Sequence, residues 1–221
     1  MAKAVYSLVL SEDVVAEIDR LAYQRNTNRS NMINQILAEY VSYVTPEQRM
    51  RETFRRMEAM LTGSQEVFQL LAQPSDTALS LRSALSYKYN PTIRYVIELY
   101  PAAGDEVGEL RVSLRTQNNT LLLYLMQFYR LWTALEQRYI GGCVYQVEDG
   151  KFARRLYPRS TETGKPVSLD SEALGEAIST YLSVFDSCIK TFFYRLDDPN
   201  AAAKESSERY AAYLKSNRVI L

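Results

Sequence analysis

The chain has 221 residues, with 26 lysines and arginines, 26 aspartates and glutamates, and no histidine. A chain of this length can form one medium-sized domain or two small ones. The lack of histidine excludes histidine-containing metal sites and the commonest general base of enzymes. A net charge of +0 also means that the chain lacks the overall positive charge typical of nucleic-acid-binding proteins.

The two cysteines, Cys143 and Cys188, are far apart in sequence and do not have metal-binding spacing. They fit free thiols in a reducing cytoplasm better than a disulfide framework. We expect no signal peptide, because the apolar run after Lys3 is too short. Residues 121–129 are the most hydrophobic stretch and are too few to span a bilayer. The sequence therefore predicts a cytoplasmic protein without a membrane partner.

The first predicted element is a β-strand over residues 4–10. Its side chains alternate between two faces, Tyr6, Leu8 and Leu10 on one and Val5, Ser7 and Val9 on the other. Such a short strand is not stable alone and needs a partner edge. Because the following residues have a helical pattern, no hairpin can form nearby. The predicted partner is the same strand of a second copy.

Two short helices are predicted next. Ser11 is expected to cap the first helix, which should end near Asn26, and Ser30 is expected to cap the second. The predicted apolar faces are Val14, Val15, Ile18, Leu21 and Ala22 in the first helix and Ile33, Ile36, Leu37, Tyr40 and Val44 in the second. A strand and two helices in about forty residues are too small to bury a core as a monomer. We therefore expect an obligate homodimer.

Residues 3–44, about a fifth of the chain, resemble the ribbon-helix-helix repressors of the CopG, MetJ and Arc type. The resemblance rests on the alternating strand and on the motifs Leu10-Ser11-Glu12-Asp13, Leu21-Ala22, Thr27-Asn28-Arg29-Ser30 and Met32-Ile33. It implies that two chains pair their strands into an antiparallel ribbon that enters the major groove of double-stranded DNA.

The resemblance also implies which residues contact DNA. The base-reading positions are Val5, Ser7 and Val9, and Lys3 lies beside them. Valines can contact thymine methyl groups but cannot hydrogen-bond a base edge, so Ser7 and Lys3 would supply most polar contacts. The phosphate-binding positions are Asn28, Arg29, Ser30 and Asn31, at a helix start where free amides favour anions. Alternatively, Val5 and Val9 are buried against another surface and the module only dimerises.

The sequence from Thr45 predicts a connecting helix over residues 46–73. Thr45, Pro46 and Gln48 form a helix-start signal in which the Thr and Gln can cap each other. Its apolar stripe is Met50, Phe54, Met57 and Leu61. Two interpretations remain open for this stripe: a core helix of the second domain, or a parallel seam between two copies.

Residues 74–221 have the pattern of an α+β domain and resemble no family. Three antiparallel strands are predicted over residues 79–89, 93–99 and 110–114, followed by a helix capped by Asn119 or Thr120. A hairpin around Asp149-Gly150 and helices starting at Asp170 and near Asn200 complete the domain. We predict an antiparallel sheet of about five strands with helices on one face.

The exposed face of this sheet is predicted to be basic. Its cations are Arg82, Lys88, Arg94, Arg111 and Arg115, opposed by Glu98 and Glu109, with Arg154, Arg155 and Arg159 as neighbours. Such a face can bind single-stranded nucleic acid or another anion. Alternatively, the charges only keep an open sheet soluble.

The sequence predicts a DNA-binding protein rather than an enzyme. It contains no phosphate-binding glycine loop or catalytic motif, and we expect no catalytic residues, metal or cofactor. The leading hypothesis is a homodimeric transcriptional regulator, a repressor, whose domain at 74–221 responds to a small-molecule or protein effector. The alternatives are a nucleic-acid-binding protein that uses the basic sheet, and an interaction module whose residues 1–45 only dimerise.

Overall fold

The computed structural model describes residues 7–41, 43–62, 68–71, 75–101 and 104–221. The chain divides into two compact units, residues 1–49 and 50–221. The described residues form a mixed α+β structure that contains an antiparallel six-stranded sheet and six helices. The α+β class predicted from the sequence is therefore confirmed.

The N-terminal unit contains two helices, α1 (Glu12–Gln24) and α2 (Arg29–Tyr40). Between them Asn26 takes a left-handed conformation with φ of 51°, which asparagine tolerates better than most residues. The predicted end of the first helix is therefore confirmed.

The predicted cap of α1 is confirmed in position, whereas the predicted cap of α2 is wrong. Ser11 occupies the N-cap position of α1, but its side chain makes no capping hydrogen bond. In α2 the cap is Asn28 instead of Ser30, and its side-chain oxygen accepts a hydrogen bond from the Asn31 amide at 2.9 Å. Asn28 has an extended backbone, whereas Ser30 already lies in the first helical turn, where its own amide needs a partner.

The core of the N-terminal unit is small. Ile18, Ala22 and Met32 are buried, and Leu21 and Ile33 pack against them. The predicted apolar faces are broader than this core, because the following members are exposed: Val14, Ile36, Leu37, Tyr40 and Val44. Two short helices can bury only the sides that face each other, so the remaining apolar side chains are exposed among the described residues.

The predicted N-terminal strand lies partly outside the described residues. Ala4, Val5 and Tyr6 are among those not described, and residues 7–10 have no strand conformation in the single chain. A strand is defined by hydrogen bonds to a neighbouring strand. Its pairing with a second copy, and the ribbon-helix-helix arrangement as a whole, stay predictions.

The third helix, α3 (Pro46–Leu61), begins where the sequence predicts. The Thr45 amide donates to the Gln48 side-chain oxygen at 2.9 Å, and the Gln48 amide donates to Thr45 Oγ1 at 3.1 Å. This reciprocal pair satisfies two amides that the first helical turn leaves without acceptors.

The predicted continuation of this helix to residue 73 is wrong in the described part. Phe68 is not helical, and β1 (Gln69–Leu70) is the edge strand of the sheet. Leu70 pairs with Leu81 on the neighbouring strand, which provides backbone partners that a helix would otherwise supply. The rest of the predicted extension, residues 63–67 and 72–74, lies outside the described residues.

The apolar stripe of α3 belongs to the core of the C-terminal unit. Met50, Phe54, Met57 and Leu61 are at most 5% exposed within a single chain. Residues buried this completely are not available for a seam with a second copy. The core-helix interpretation is therefore confirmed over the dimer-seam alternative.

The sheet is entirely antiparallel, with the strand order β1-β2-β3-β4-β6-β5. After β1 its strands are β2 (Ala78–Ala84), β3 (Thr92–Leu99), β4 (Gly108–Leu114), β5 (Tyr145–Glu148) and β6 (Lys151–Leu156). The predicted meander of three strands is confirmed as β2-β3-β4. Its first strand ends at Ala84 instead of residue 89, and Tyr89 and Asn90 lie in the following loop with positive φ values of 65° and 42°.

The predicted hairpin between β5 and β6 is also confirmed. Its turn residues Asp149 and Gly150 have φ values of 45° and 73°, as a two-residue hairpin turn requires. The sequence did not predict a second, two-stranded sheet, in which β7 (Arg159–Ser160) pairs with β8 (Val219–Ile220).

Three further helices complete the C-terminal unit: α4 (Asn119–Tyr139), α5 (Ser171–Tyr194) and α6 (Pro199–Ser216). They are capped by Asn118, Asp170 and Asp198, each accepting a hydrogen bond from the amide three residues later. The cap of α5 is as predicted. The cap of α4 precedes the predicted Asn119, which itself lies in the first turn.

An aromatic cluster joins α4 and α5 to one face of the sheet. The Phe185 ring on α5 has its centroid 4.9–6.5 Å from those of Tyr95, Phe128, Trp132, Phe152 and Tyr181. The Tyr95 hydroxyl on β3 also donates to Asp186 Oδ1 at 2.7 Å. Helices therefore cover the apolar face of the sheet, as the alternating sequence pattern of the strands predicts.

The start of β4 has no room for a side chain. Alanine at Gly108 would place Cβ 2.1 Å from the Glu98 carbonyl oxygen on β3, and this backbone atom can move only by separating the strands. We expect Gly108→Ala to lower the free energy of unfolding by about 1–3 kcal/mol, measured by urea denaturation. Gly104→Ala is the control, because no described atom lies within 4 Å of its Cβ. Equal losses in both variants would contradict this explanation.

Candidate functional site

The start of α2 brings four predicted site residues together on the surface. Arg29, Ser30 and Asn31 are exposed in its first turn, next to the capping Asn28. Because Asn28 accepts from the Asn31 amide, the amides of Arg29 and Ser30 remain as first-turn donors without helical acceptors. Such donors, with the positive end of the helix dipole, favour an anion.

The Arg29 guanidinium is held by an acidic side chain of α1. Arg29 Nε donates to Asp19 Oδ1 at 2.7 Å, and Nη2 contacts the second carboxylate oxygen. This hydrogen-bonded pair raises the pKa of Arg29 and lowers the pKa of Asp19. Both side chains are about half exposed, and exposed ion pairs are weak. A phosphate can therefore compete with Asp19 for the guanidinium.

The predicted base-reading residues are only partly described. Lys3 and Val5 lie outside the described residues, whereas Ser7 and Val9 are exposed. Within the described part of the chain, no hydrogen bond joins Ser7 or Val9 to the start of α2. For Ser7 and Val9, the described part of the predicted strand, no hydrogen bond links the two halves of the predicted DNA site.

The N-terminal unit exposes much apolar surface for its size. The exposed large apolar residues are Leu8, Val9, Leu10, Val14, Tyr23, Ile36, Leu37, Tyr40, Val41, Tyr43 and Val44. Single exposed apolar residues are normal on soluble proteins, but here they outnumber the buried core of the same unit. An excess of exposed apolar side chains over buried ones is typical of a unit with an interaction surface.

The predicted basic face divides into two halves. In one half Arg111 pairs with Glu98 and Glu109. Nearby, Arg155 Nη1 lies 2.6 Å from Glu106 Oε1. These carboxylates neutralise their arginines.

In the other half, Arg82 on β2 lies opposite Arg94 on β3. Arg115 follows β4 directly, and Lys88 is exposed in the loop between β2 and β3. Within the described residues, none of these four cations forms a salt bridge.

The prediction that Arg154 lies beside this face is wrong. Its side chain is 1% exposed and points to the opposite, helix-covered face of the sheet. Arg159 is also not on the predicted face, because it belongs to β7 in the separate two-stranded sheet. The alternation of Phe152, Arg154 and Leu156 in β6 was a signal that could have placed Arg154 inside.

Arg154 forms a buried charge cluster with Glu136 of α4. Arg154 Nε donates to Glu136 Oε2 at 3.1 Å, and the same oxygen accepts from the Tyr145 hydroxyl at 2.8 Å. The Tyr210 hydroxyl donates to Glu136 Oε1 at 3.3 Å. Arg154 also contacts Cys143 Sγ at 3.4 Å and the Leu221 carbonyl oxygen. Both charges are thus surrounded by partners.

Burial sets the protonation states around this cluster. It raises the pKa of Tyr145 and of Tyr210, and the neighbouring Glu136 carboxylate raises both further. Burial is the largest single influence on Arg154 and lowers its pKa, but Glu136, together with Tyr181, Cys143 and Tyr145, raises the pKa of Arg154 above its usual value. The tyrosines remain protonated donors and the arginine remains charged. The cluster can therefore stabilise the packing of α4 and α6 against β6.

The cysteines differ in their surroundings. Cys188 is buried on α5, and burial raises its pKa to about 11, so the thiol stays protonated and unreactive. Cys143 is half-buried and contacts Arg154. In the described part of the chain, no group of three or more acidic or cysteine side chains is placed to hold a metal ion.

Comparisons with known proteins found no matching family model, no matching curated protein and no matching solved structure. Among the described helices, none combines the length and apolar character needed to cross a membrane.

Proposed function

We propose that this chain is a homodimeric DNA-binding transcriptional regulator of the ribbon-helix-helix type, whose paired N-terminal strands enter the major groove. The observation that carries the proposal is the surface of the N-terminal unit. The same two helices combine an uncovered apolar face with an exposed, anion-favouring start of α2. A dimer would use the first feature and a DNA phosphate the second.

A second copy of the chain is the occupant of the apolar face. The buried core of Ile18, Ala22 and Met32 is too small to stabilise a unit of this size. Leu8 and Leu10 belong to a sequence with strand alternation and need a partner edge. An isologous dimer would pair these strands across the twofold axis and cover Ile36 and Leu37 in the same step.

The start of α2 supplies the phosphate contact. The amides of Arg29 and Ser30 would bind a phosphate oxygen, and the Arg29 guanidinium would exchange Asp19 for phosphate. Contacts of this kind position the protein on the duplex but do not read sequence. Ser7, with Lys3, would supply the polar contacts to base edges.

The C-terminal unit would then regulate or assemble the dimer instead of carrying out catalysis. Its large core contains two buried carboxylates, Glu136 and Asp186, each of which forms an ion pair. These groups stabilise the packing of the core. An effector, a small molecule or a protein, would act by favouring one arrangement of the dimer over another. A reducing cytoplasm fits the two free thiols.

Duplex binding should respond in opposite directions to changes in the Arg29–Asp19 pair. Arg29→Ala should weaken binding to all duplexes similarly and reduce the salt slope by about 1 for each phosphate that is no longer neutralised. Asp19→Asn should strengthen binding, because it frees the guanidinium. Ser7→Ala should instead change the preference among sequences. Binding is measured by fluorescence anisotropy at several salt concentrations, after selection of bound duplexes from a random pool.

Arg20→Ala is the matched control, since Arg20 is an exposed arginine of α1 that pairs with Glu17. It removes the same charge without removing either member of the Arg29–Asp19 pair, and its effect on affinity should be smaller than that of Arg29→Ala. If Arg29→Ala and Ser7→Ala both bind every duplex like the parent chain, the N-terminal unit only dimerises.

A further inference from the structure

Three arginines surround a shallow patch on the open face of the six-stranded sheet. Arg82 and Arg94 are direct partners across β2 and β3, and Arg94 lies opposite Ser113 on β4. Ile93 pairs with Leu114. Extending this antiparallel register by one residue places Arg115 beside Thr92. Arg82 and Arg94 therefore lie in one cross-strand row, and Arg115, directly after β4, lies in the neighbouring row.

The side chains between these arginines are small. Ala84 and Thr92 form the row next to the Arg82–Arg94 pair, and Ser113 completes the first row. Ala84 and Thr92 are exposed and Ser113 is half-buried. The surface between the arginines is therefore formed by small side chains, and Thr92 and Ser113 each contribute a hydroxyl group to it.

The patch holds its positive charge without compensation. Like charges directly opposite each other across two strands destabilise a sheet, yet neither Arg82 nor Arg94 has a carboxylate partner in the described residues. Arg82 Nε instead donates to the Gln69 side-chain oxygen at 2.8 Å. This bond orients the guanidinium and leaves its other donors available.

Two other arginines on the same face, Arg111 and Arg155, are paired with glutamates. Glu98 and Glu109 flank Arg111, and Glu106 holds Arg155 and the Tyr157 hydroxyl. If charge served only to keep the open face soluble, mixed pairs of this kind would suffice throughout. The separation of paired and unpaired arginines on one face points to an anionic partner at the unpaired end.

An exposed aromatic ring lies in the loop that leaves the sheet at the Ala84–Thr92 pair, the end of the sheet that carries the patch. Tyr89 is 100% exposed in the loop that links β2 to β3, next to the exposed Lys88. Tyr89 also has a left-handed backbone with φ of 65°, which is uncommon for a residue other than glycine or asparagine. Its ring has no ring contact within the described residues, whereas Tyr87 packs against Tyr124 and Phe193.

We propose that this patch binds single-stranded nucleic acid, with backbone phosphates on Arg82, Arg94 and Arg115 and a base stacked on Tyr89. Planar guanidinium groups bind phosphate oxygens in a bidentate manner. An exposed tyrosine beside a basic surface supplies the stacking that single-strand-binding proteins use. An acidic peptide would satisfy the arginines but would give Tyr89 no such role.

The test is carried out in the full chain with Arg29→Ala, so that duplex binding through the N-terminal unit is weakened in every sample. The probe is a fluorescein-labelled oligothymidine of about twelve nucleotides, within the site sizes known for single-strand binding. The variants are Arg82→Gln, Arg94→Gln and Arg115→Gln, singly and together, and Tyr89→Ala. Arg130→Gln, an exposed arginine on α4, controls for net charge.

We expect each arginine variant to make the salt slope shallower by about 0.7, and the triple variant to abolish measurable binding. Tyr89→Ala should weaken binding by about 5- to 150-fold, and Arg130→Gln should bind like the parent. All positions are exposed, so unchanged circular dichroism is expected and verifies folding.

Competition distinguishes the partners. Unlabelled oligothymidine should displace the probe better than polyglutamate or inorganic triphosphate. Equal displacement by polyglutamate, together with an unchanged Tyr89→Ala variant, would overturn the proposal in favour of an acidic protein surface. Unchanged binding in the triple variant would overturn it in favour of another surface of the chain. Neither result would bear on the duplex site at α2.

Discussion

Replacing Glu136 by glutamine is expected to lower the free energy of unfolding of the C-terminal unit by about 3–5 kcal/mol. The substitution preserves the shape of the side chain but leaves the Arg154 guanidinium as an uncompensated charge in the core. Arg154 is 1% exposed and Glu136 is 0% exposed, so water cannot replace the missing carboxylate. The measurement is urea denaturation followed by far-UV circular dichroism.

A second substitution provides the internal control for this result. When Arg154 is also replaced by methionine, the charge is removed with its partner, and a large part of the stability should return. Glu17→Gln, which breaks the exposed pair with Arg20, should change stability little. A double variant less stable than Glu136→Gln alone would show that the cluster stabilises through its hydrogen bonds rather than through paired charge.

Replacing Leu37 by aspartate should abolish dimerisation and reduce duplex affinity by at least about 100-fold. Leu37 is 51% exposed in the single chain, and the proposed dimer would bury it. An unpaired charge buried at an interface costs several kcal/mol, and the twofold axis places two in each dimer. Since about 1.4 kcal/mol corresponds to a factor of ten, about 100-fold is a lower limit.

Asn34→Asp is the control for Leu37→Asp, because Asn34 is a polar, exposed residue of the same helix. It adds the same charge with a similar effect on helix propensity. Analytical ultracentrifugation at several concentrations measures the dimer, and anisotropy measures duplex binding. A Leu37→Asp chain that remained dimeric would require a different surface for association.

Local signals in the sequence determined the starts and turns of several elements. The Thr45 and Gln48 pair marks the beginning of α3, Asp170 caps α5, and Asp149-Gly150 forms the turn between β5 and β6. In each case the deciding hydrogen bonds or backbone angles lie within four residues. The alternation of apolar side chains likewise determined which face of β3 and β4 is covered by helices, because successive strand residues point to opposite faces.

Interactions between residues distant in sequence decided the rest. Residues 69–70 follow a helical apolar pattern, but pairing with Arg82 and Leu81 makes them an edge strand. Arg154 is absent from the predicted basic face and lies in the core, because its partner Glu136 is on a helix 18 residues earlier. A sequence pattern identifies a side chain that needs a partner, but only the tertiary structure selects which partner it meets.

The two candidate sites differ in how far the sequence alone identifies them. The residue types at the start of α2 could be recognised from a short motif, because a helix start creates its own anion-favouring donors. The arginine patch could be identified from the sequence only as part of a larger set. The strand register decided which arginines are neighbours, and the glutamates brought beside Arg111 and Arg155 decided which are neutralised. Charge on a sheet depends on cross-strand neighbours, which chain folding alone brings together.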